Sequence, residues 1–256
     1  GRGGMDAVPM ALVTLLMALA FSAVHLFVGR LRFLDATPRS RWLSFSGGVA
    51  VGYVFLHVMP ELAAHAGTFR QATGLDEAAA EATVYVLALI GLALFYGVER
   101  AIVASRGGRG QREKPDRRTF WLHIGASALL VAIIAYLLNN REDTSWIGLA
   151  LFFGAMMLHF VTADFGARSD HAQIYDTRGR WVLAAATMAG WAAGLLLDLP
   201  ELAIGGLFAF VGGGIILLVM KEELPEERRS RFLPFALGAA LYALLVVGEL
   251  IVRQSS

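Results

Sequence analysis

The chain has 256 residues, of which 57% are hydrophobic and 17% charged, and its mean hydropathy is +0.59. A soluble domain carries about 25% charge and about 45–50% apolar residues, so this composition excludes an ordinary soluble enzyme, a disordered tail and a nucleic-acid-binding domain. With no cysteine and a net charge of +1, it also excludes disulfide frameworks and thiolate metal sites, and charge alone implies no partner.

The apolar residues fall into runs of the length that crosses a bilayer core. Taken in chain order, hydropathy and helix breakers predict eight spans, at about Val8–Gly29, Trp42–Ala64, Ala82–Ser105, Phe120–Leu138, Trp146–Gly166, Trp181–Leu199, Leu202–Val219 and Phe232–Val252. They form a single transmembrane domain over residues 1–256. Gly1–Gly4, ahead of Met5, reads as a remnant of expression. The first span has no basic stretch before it and no clear cleavage site, so it is expected to stay as a span.

Lys and Arg set the topology. The connections after spans 1, 3, 5 and 7, together with Arg100 in the last turns of span 3, hold eighteen of the 22 basic residues, and Arg2, Arg70, Arg141 and Arg253 are the remainder. The positive-inside rule then places both termini outside and residues 106–119, a Gly- and Arg-rich loop, in the cytoplasm of an inner or plasma membrane. That loop serves topology and contact with anionic lipid.

Spans 2 and 7 share a pattern. GGVAVGYVFLHVMPEL and VGGGIILLVMKEELPEE are both Gly-rich and end near a Pro-Glu pair, and they run in opposite directions. An inverted repeat of spans 1–3 and 6–8 around spans 4 and 5 produces this arrangement. Gly48–Gly52, Gly190–Gly194 and Gly212–Gly214 let helices approach closely, as packing and as sliding surfaces.

Ionisable groups inside spans are costly and serve as functional candidates. His57, Glu61 and His65 lie at i, i+4 and i+8, which stacks them on one face of span 2, with Pro60 freeing the Leu56 carbonyl. An imidazole–carboxylate face near the outer mouth suits entry of a divalent cation, a proton relay, or a hydrogen bond that locks the kink. His123 in span 4, with Ser127 one turn on, and His159 in span 5 fall at similar depths, about 20 Å from the outer ends, so they can share a site. Asp164 either joins His159 or pairs with Arg168 four residues on. His25 and Glu249 show no partner in the sequence. Glu99 reads as a solvated helix end, and His171 as a loop residue able to act as an exit ligand.

These residues resemble the ZIP (Zrt/Irt-like) family of divalent metal transporters. FLHVMPEL is similar to its F-L-H-L-L-P-E, LIGLALFYGVERAI to its L-x-G-F-x-x-F-F-x-x-E-R, and GGGIILLVMKEELPEE with the following Leu/Gly/Ala helix to its two final helices. The resemblance implies eight helices, an inverted repeat, a homodimer, elevator-type sliding and metal ligands from spans 4 and 5. The chain departs from the family where the ligands sit. Against H-N-x-x-D-G it reads HIGASAL, keeping His123, with Ser127 for the aspartate. Against H-E-x-P-H-E it reads HFVTAD, keeping His159, with Asp164 for the second glutamate. The metal set carried over is His123, His159, Asp164 and Ser127, which suits at most one weakly held zinc-like ion. The metal is cargo, and no organic cofactor is implied. Two alternatives stand beside transport by this non-enzymatic reading. One is a ZIP-shaped protein that moves no metal and acts as a regulator, subunit or carrier of another solute. The other is a membrane-embedded zinc hydrolase using His, Asp and Ser.

Overall fold

A computed structural model describes residues 4–31, 41–105, 116–140, 146–223 and 231–255. The described residues are helical with no strand. The helices are α1 (Gly4–Phe27), α2 (Arg41–Thr73), α3 (Glu77–Ser105), α4 (Arg117–Leu137), α5 (Trp146–Asp170), α6 (Arg180–Leu196), α7 (Glu201–Glu223) and α8 (Phe232–Ser255). Seven of them are long and apolar enough to cross a membrane, and α6, at 17 residues, is the shorter eighth. Each follows an expected span, with ends that differ from it by between one residue and a few turns. The interfacial loop expected at 106–119 begins its helix early: Asp116 accepts from the Thr119 N–H at 2.7 Å and caps α4, so residues 117–119 are helical. Residues 106–115 of that loop, and residues 1–3, lie outside the described residues.

Local chemistry explains the breaks. Gly74, at φ 72°, ends α2 in the left-handed conformation, and its N–H donates to the Arg70 carbonyl at 2.9 Å. Asp76 then caps α3 through the Ala79 N–H at 2.8 Å. Between α5 and α6 the chain barely leaves helical geometry. A turn at Ala172–Ile174 and a π-helical turn at Tyr175–Gly179 lead straight into α6.

Side-chain contacts give the direction of each helix. His25 meets Asp164 and Phe21 meets Phe160, so α1 and α5 run in parallel. Gly52 faces Tyr242 and Phe45 faces Gly238, so α2 and α8 are parallel. The same holds for α3 and α7, where Leu87 faces Gly206 and Phe95 faces Gly214, and for α4 and α6, where Ala132 faces Gly190 and Tyr136 faces Gly194. Thr14 against Trp191 and Arg180 against Leu26 make α1 and α6 antiparallel, and Ser46 against Leu158 with Tyr53 against Phe152 does so for α2 and α5. Odd helices therefore run one way and even helices the other, as eight successive crossings require.

The core lies where these pairs meet. Phe21, Tyr53, Phe120, Phe160, Ile124 and Tyr175 are all under 2.5% exposed. The outward faces stay apolar, with Leu244 70%, Leu89 60% and Leu16 58% exposed, which is stable only against hydrocarbon. α5 packs chiefly on α1 and α2, and α4 on α6 and α3, so α4 and α5 touch little.

Candidate functional site

Two ends of the bundle are distinguished by sequence. The starts of α2, α4, α6 and α8 lie at an arginine-rich end, and their finishes at an arginine-poor end.

Span 2 carries the first group of candidates. Pro60 has no N–H, and its ring crowds the carbonyl of Leu56, so the ladder must give way just before it. The chain answers with a π-helical turn at Val54–Val58, closed by the Met59 N–H on the Val54 carbonyl. This extra residue changes the expected stack. His57 turns to α8, where its Nδ1 lies 2.9 Å from the Tyr242 hydroxyl, and its ring stacks on Tyr53 with centroids 5.7 Å apart. Glu61 and His65 instead line a narrow cavity of about 20 Å³, shared with Leu137, Asn140, Phe152, Ile204 and Phe208, at the arginine-poor end. The structure thus groups two of the three residues.

Asp164 takes neither of the two partners expected for it. Its Oδ2 lies 2.6 Å from His25 Nδ1, with the two residues 4% and 0% exposed. Arg168 is engaged elsewhere: Nε and Nη2 reach the two carboxylate oxygens of Asp176 at 2.8 and 2.9 Å. The Tyr175 hydroxyl donates to the His25 carbonyl at 3.2 Å, which ties the α5–α6 connection to α1. Burial, and after it the charge of Asp164, push the Tyr175 hydroxyl far above its ordinary value, so it stays protonated. His25, without a role in the sequence reading, is therefore half of a buried pair. The signal available was that α1 carries one imidazole in an apolar run.

His159 is buried at 1% exposure in the middle of α5, with Thr162 Oγ1 bonded to its carbonyl at 2.8 Å. His123 and Ser127 are half-buried on α4. The charges acting on His123 are Glu99, Lys221, Asp170 and Asp164, all toward the arginine-rich end. Among the described residues, no three His, Asp or Glu side chains are placed to hold a metal ion. His123, His159 and Asp164 are therefore not gathered into one three-ligand centre, because α5 leans on α1 and α2 and Asp164 is held by His25.

Other candidates also find packing partners. Glu99, read as a solvated end, has a side chain only 12% exposed and pairs with Lys221 across α3 and α7. His171 sets its ring edge-on to Phe120, with centroids 5.2 Å apart, at the α5–α6 junction. Glu249 is buried on α8 at 6% exposure.

One network had no motif to announce it. Thr14 donates to Asn139 Oδ1 at 2.6 Å and accepts from Trp191 Nε1 at 3.2 Å, while Asn139 Nδ2 donates to the Trp191 carbonyl at 3.2 Å. Beside it Asn140 Nδ2 donates to the Tyr136 and Gly194 carbonyls at 3.1 and 3.0 Å. Together these bonds join α1, α4 and α6 at the arginine-poor end.

Compared with known protein families, curated proteins and solved structures, the chain matches none.

Proposed function

We propose that the chain is a ZIP-like membrane carrier for a zinc-like divalent cation, built as an inverted repeat of α1–α3 and α6–α8 around α4 and α5. One observation carries the reading. At the α2–α8 crossing, a Cβ on Gly48 would fall on the Phe235 carbonyl oxygen, and one on Gly238 on the Phe45 carbonyl oxygen. At the α3–α7 crossing, a Cβ on Gly213 would fall on the Ala88 carbonyl oxygen, and one on Gly91 on the Phe210 carbonyl oxygen. Exchanging α2 with α7 and α3 with α8 turns the first crossing into the second, reciprocal glycines included. The parallel pairs α1–α5 and α4–α6 exchange in the same way. A repeat of inverted topology is the architecture of many carriers that alternate access by moving one bundle against another.

In this reading the arginine-rich end faces the cytoplasm, both termini lie outside, and two copies form the homodimer that the resemblance implies. The cargo passes Glu61 and His65 and is held by His159 and His123, with Ser127, water or backbone completing its shell. Asp164 supports the site from α5 through His25.

Zinc uptake into proteoliposomes tests this. The wild-type chain is expected to load zinc, and His159→Ala and His123→Ala are each expected to slow uptake by about tenfold or more, a change of about 1.4 kcal/mol or more in the barrier. Uptake unchanged in the double variant would overturn the assignment. A carrier-shaped protein that moves no metal is the second reading. The commitment of Asp164 to His25 favours it, because it removes one carboxylate from the centre. No uptake by the wild type, with no metal bound after reconstitution in zinc, would select it.

A further inference from the structure

We propose that Glu61, His65 and Asn140 form a binding site for a borderline divalent cation at the arginine-poor end, where the cargo is first held. This rests on the carrier reading and extends it, since sequence motifs place no ligand on the finish of α4.

The three residues come from two separate structural units. Glu61 and His65 follow the π-helical turn of α2, four residues apart on one face. Asn140 follows α4 and is fastened to α6 as well as to its own helix. Its amide nitrogen gives its donors to the Tyr136 and Gly194 carbonyls, at 3.1 and 3.0 Å. That use of the nitrogen leaves Oδ1 as the amide's acceptor, held in place without rotational freedom. All three side chains line the same cavity, whose other walls, Leu137, Phe152, Ile204 and Phe208, offer no competing donor. Its volume of about 20 Å³ admits one water or a bare ion, since about 10–15 Å³ is needed for a water.

The imidazole is placed and held by α7. A Cβ on Gly205 would come within 3.0 Å of His65 Nδ1, and the Phe208 ring lies 5.0 Å from the His65 ring. The glycine makes the space in which the ring sits, and His65 is 1% exposed. One imidazole nitrogen, one carboxylate and one amide oxygen are a mixed N/O set. Such a set suits zinc and its first-row neighbours, whereas magnesium and calcium take oxygen shells and copper(I) takes sulfur. With only Glu61 supplying charge, water must complete the shell, so the ion is held loosely enough to move on. Because α2, α4, α5 and α7 border the cavity and Asn140 is fastened to α6, an ion there joins α2 to the α4–α6 unit.

Calorimetric titration of zinc into the purified full chain in nanodiscs is the test, with uptake read separately on the same preparations. Wild type is expected to bind zinc, with magnesium failing to compete, and zinc is expected to raise its melting temperature. Glu61→Gln and His65→Gln should each weaken zinc binding at this site by about tenfold or more and reduce the zinc-dependent rise in melting temperature. Asn140→Ala and Gly205→Ala should weaken it less. Melting in the absence of zinc shows that each variant folds, and His65→Cys, which restores a metal-binding side chain, should recover affinity. If the Glu61 and His65 variants bind zinc as wild type does, this site is overturned while the carrier reading stands on its uptake. If wild type binds zinc through these residues but takes none up, the site is upheld and the carrier reading falls.

Discussion

Asp164 and His25 lie 139 residues apart in the chain and 2.6 Å apart in the fold. A buried hydrogen-bonded pair that loses one partner leaves the other polar group stranded, at a cost of about 1–3 kcal/mol, and more when that group is charged. Asp164→Ala is therefore expected to lower the melting temperature of the purified protein sharply. His25→Leu combined with Asp164→Leu should cost less than the two single changes added, and a double-mutant cycle read by thermal melting checks this. Asp116 provides a titration at the opposite extreme of burial. The Thr119 N–H it accepts holds its carboxyl below the ordinary value of 3.8. Its folded value is depressed, so its support for the start of α4 is present above pH 3.8 and is lost as pH falls through the depressed value. Asp116→Asn should flatten that acid limb, measured as melting temperature against pH. Little at this scale was legible in the sequence. Arg168, four residues from Asp164, was the natural helical partner, but Asp176 lies in the connection that folds back beside it and takes the guanidinium with both oxygens. Partner choice was decided by which helix lies alongside, and local spacing does not contain that.

The glycines act at the scale of the element. Where a Cβ would land on a carbonyl, the helices touch backbone to backbone, and dispersion and weak Cα–H···O contacts take the place of side-chain packing. Gly48, Gly91, Gly213 and Gly238 each meet this condition, whereas Gly67, Gly97, Gly125 and Gly154 have open space around them. Alanine at any of the first four is expected to destabilise the protein by about 1–3 kcal/mol or more through overpacking. Alanine at the second four should be neutral or slightly stabilising, because it improves helix propensity. Urea or thermal melts of the eight variants sort them. The spans themselves were legible, because about twenty apolar residues between polar breaks leave few alternatives in a bilayer. The glycine clusters at 48–52 and 212–214 were legible as places of close approach. Their partners on α8 and α3 were not, since Gly238 and Gly91 belong to no cluster of glycines in those leucine-rich helices. The π-helical turn before Pro60 was legible as a kink, but its effect on His57 was not, because α-helical spacing no longer holds across an inserted residue.

On the scale of the whole molecule, charge is spent at the ends and on a few buried pairs. The chain contains no cysteine, so single cysteines at residues 110 and 75 give an unambiguous reading of sidedness. The proposed topology expects a membrane-impermeant maleimide to label position 75 in intact cells and position 110 only after permeabilisation. The reverse pattern would invert the direction of transport inferred from the arginine count. Polar groups are spread along the bundle: Glu61, His65 and Asn140 at one end, His159 and His123 further in, and His25 and Asp164 toward the other end. Eight helices running alternately were readable in outline. The packing of α4 and α5 was not, because each prefers other neighbours and local spacing does not contain that choice.

The tight α2–α8 crossing also bears on how the protein is made. Gly48 and Phe45 must find Phe235 and Gly238, about 190 residues later in the chain. During synthesis α2 therefore waits in the bilayer, with its glycine face open, until α8 has left the ribosome. The α3–α7 crossing closes earlier, across about 120 residues. A nascent chain stalled before α8 should hold the α3–α7 crossing and expose the one on α2, giving quality-control proteases a defined surface to test for completion.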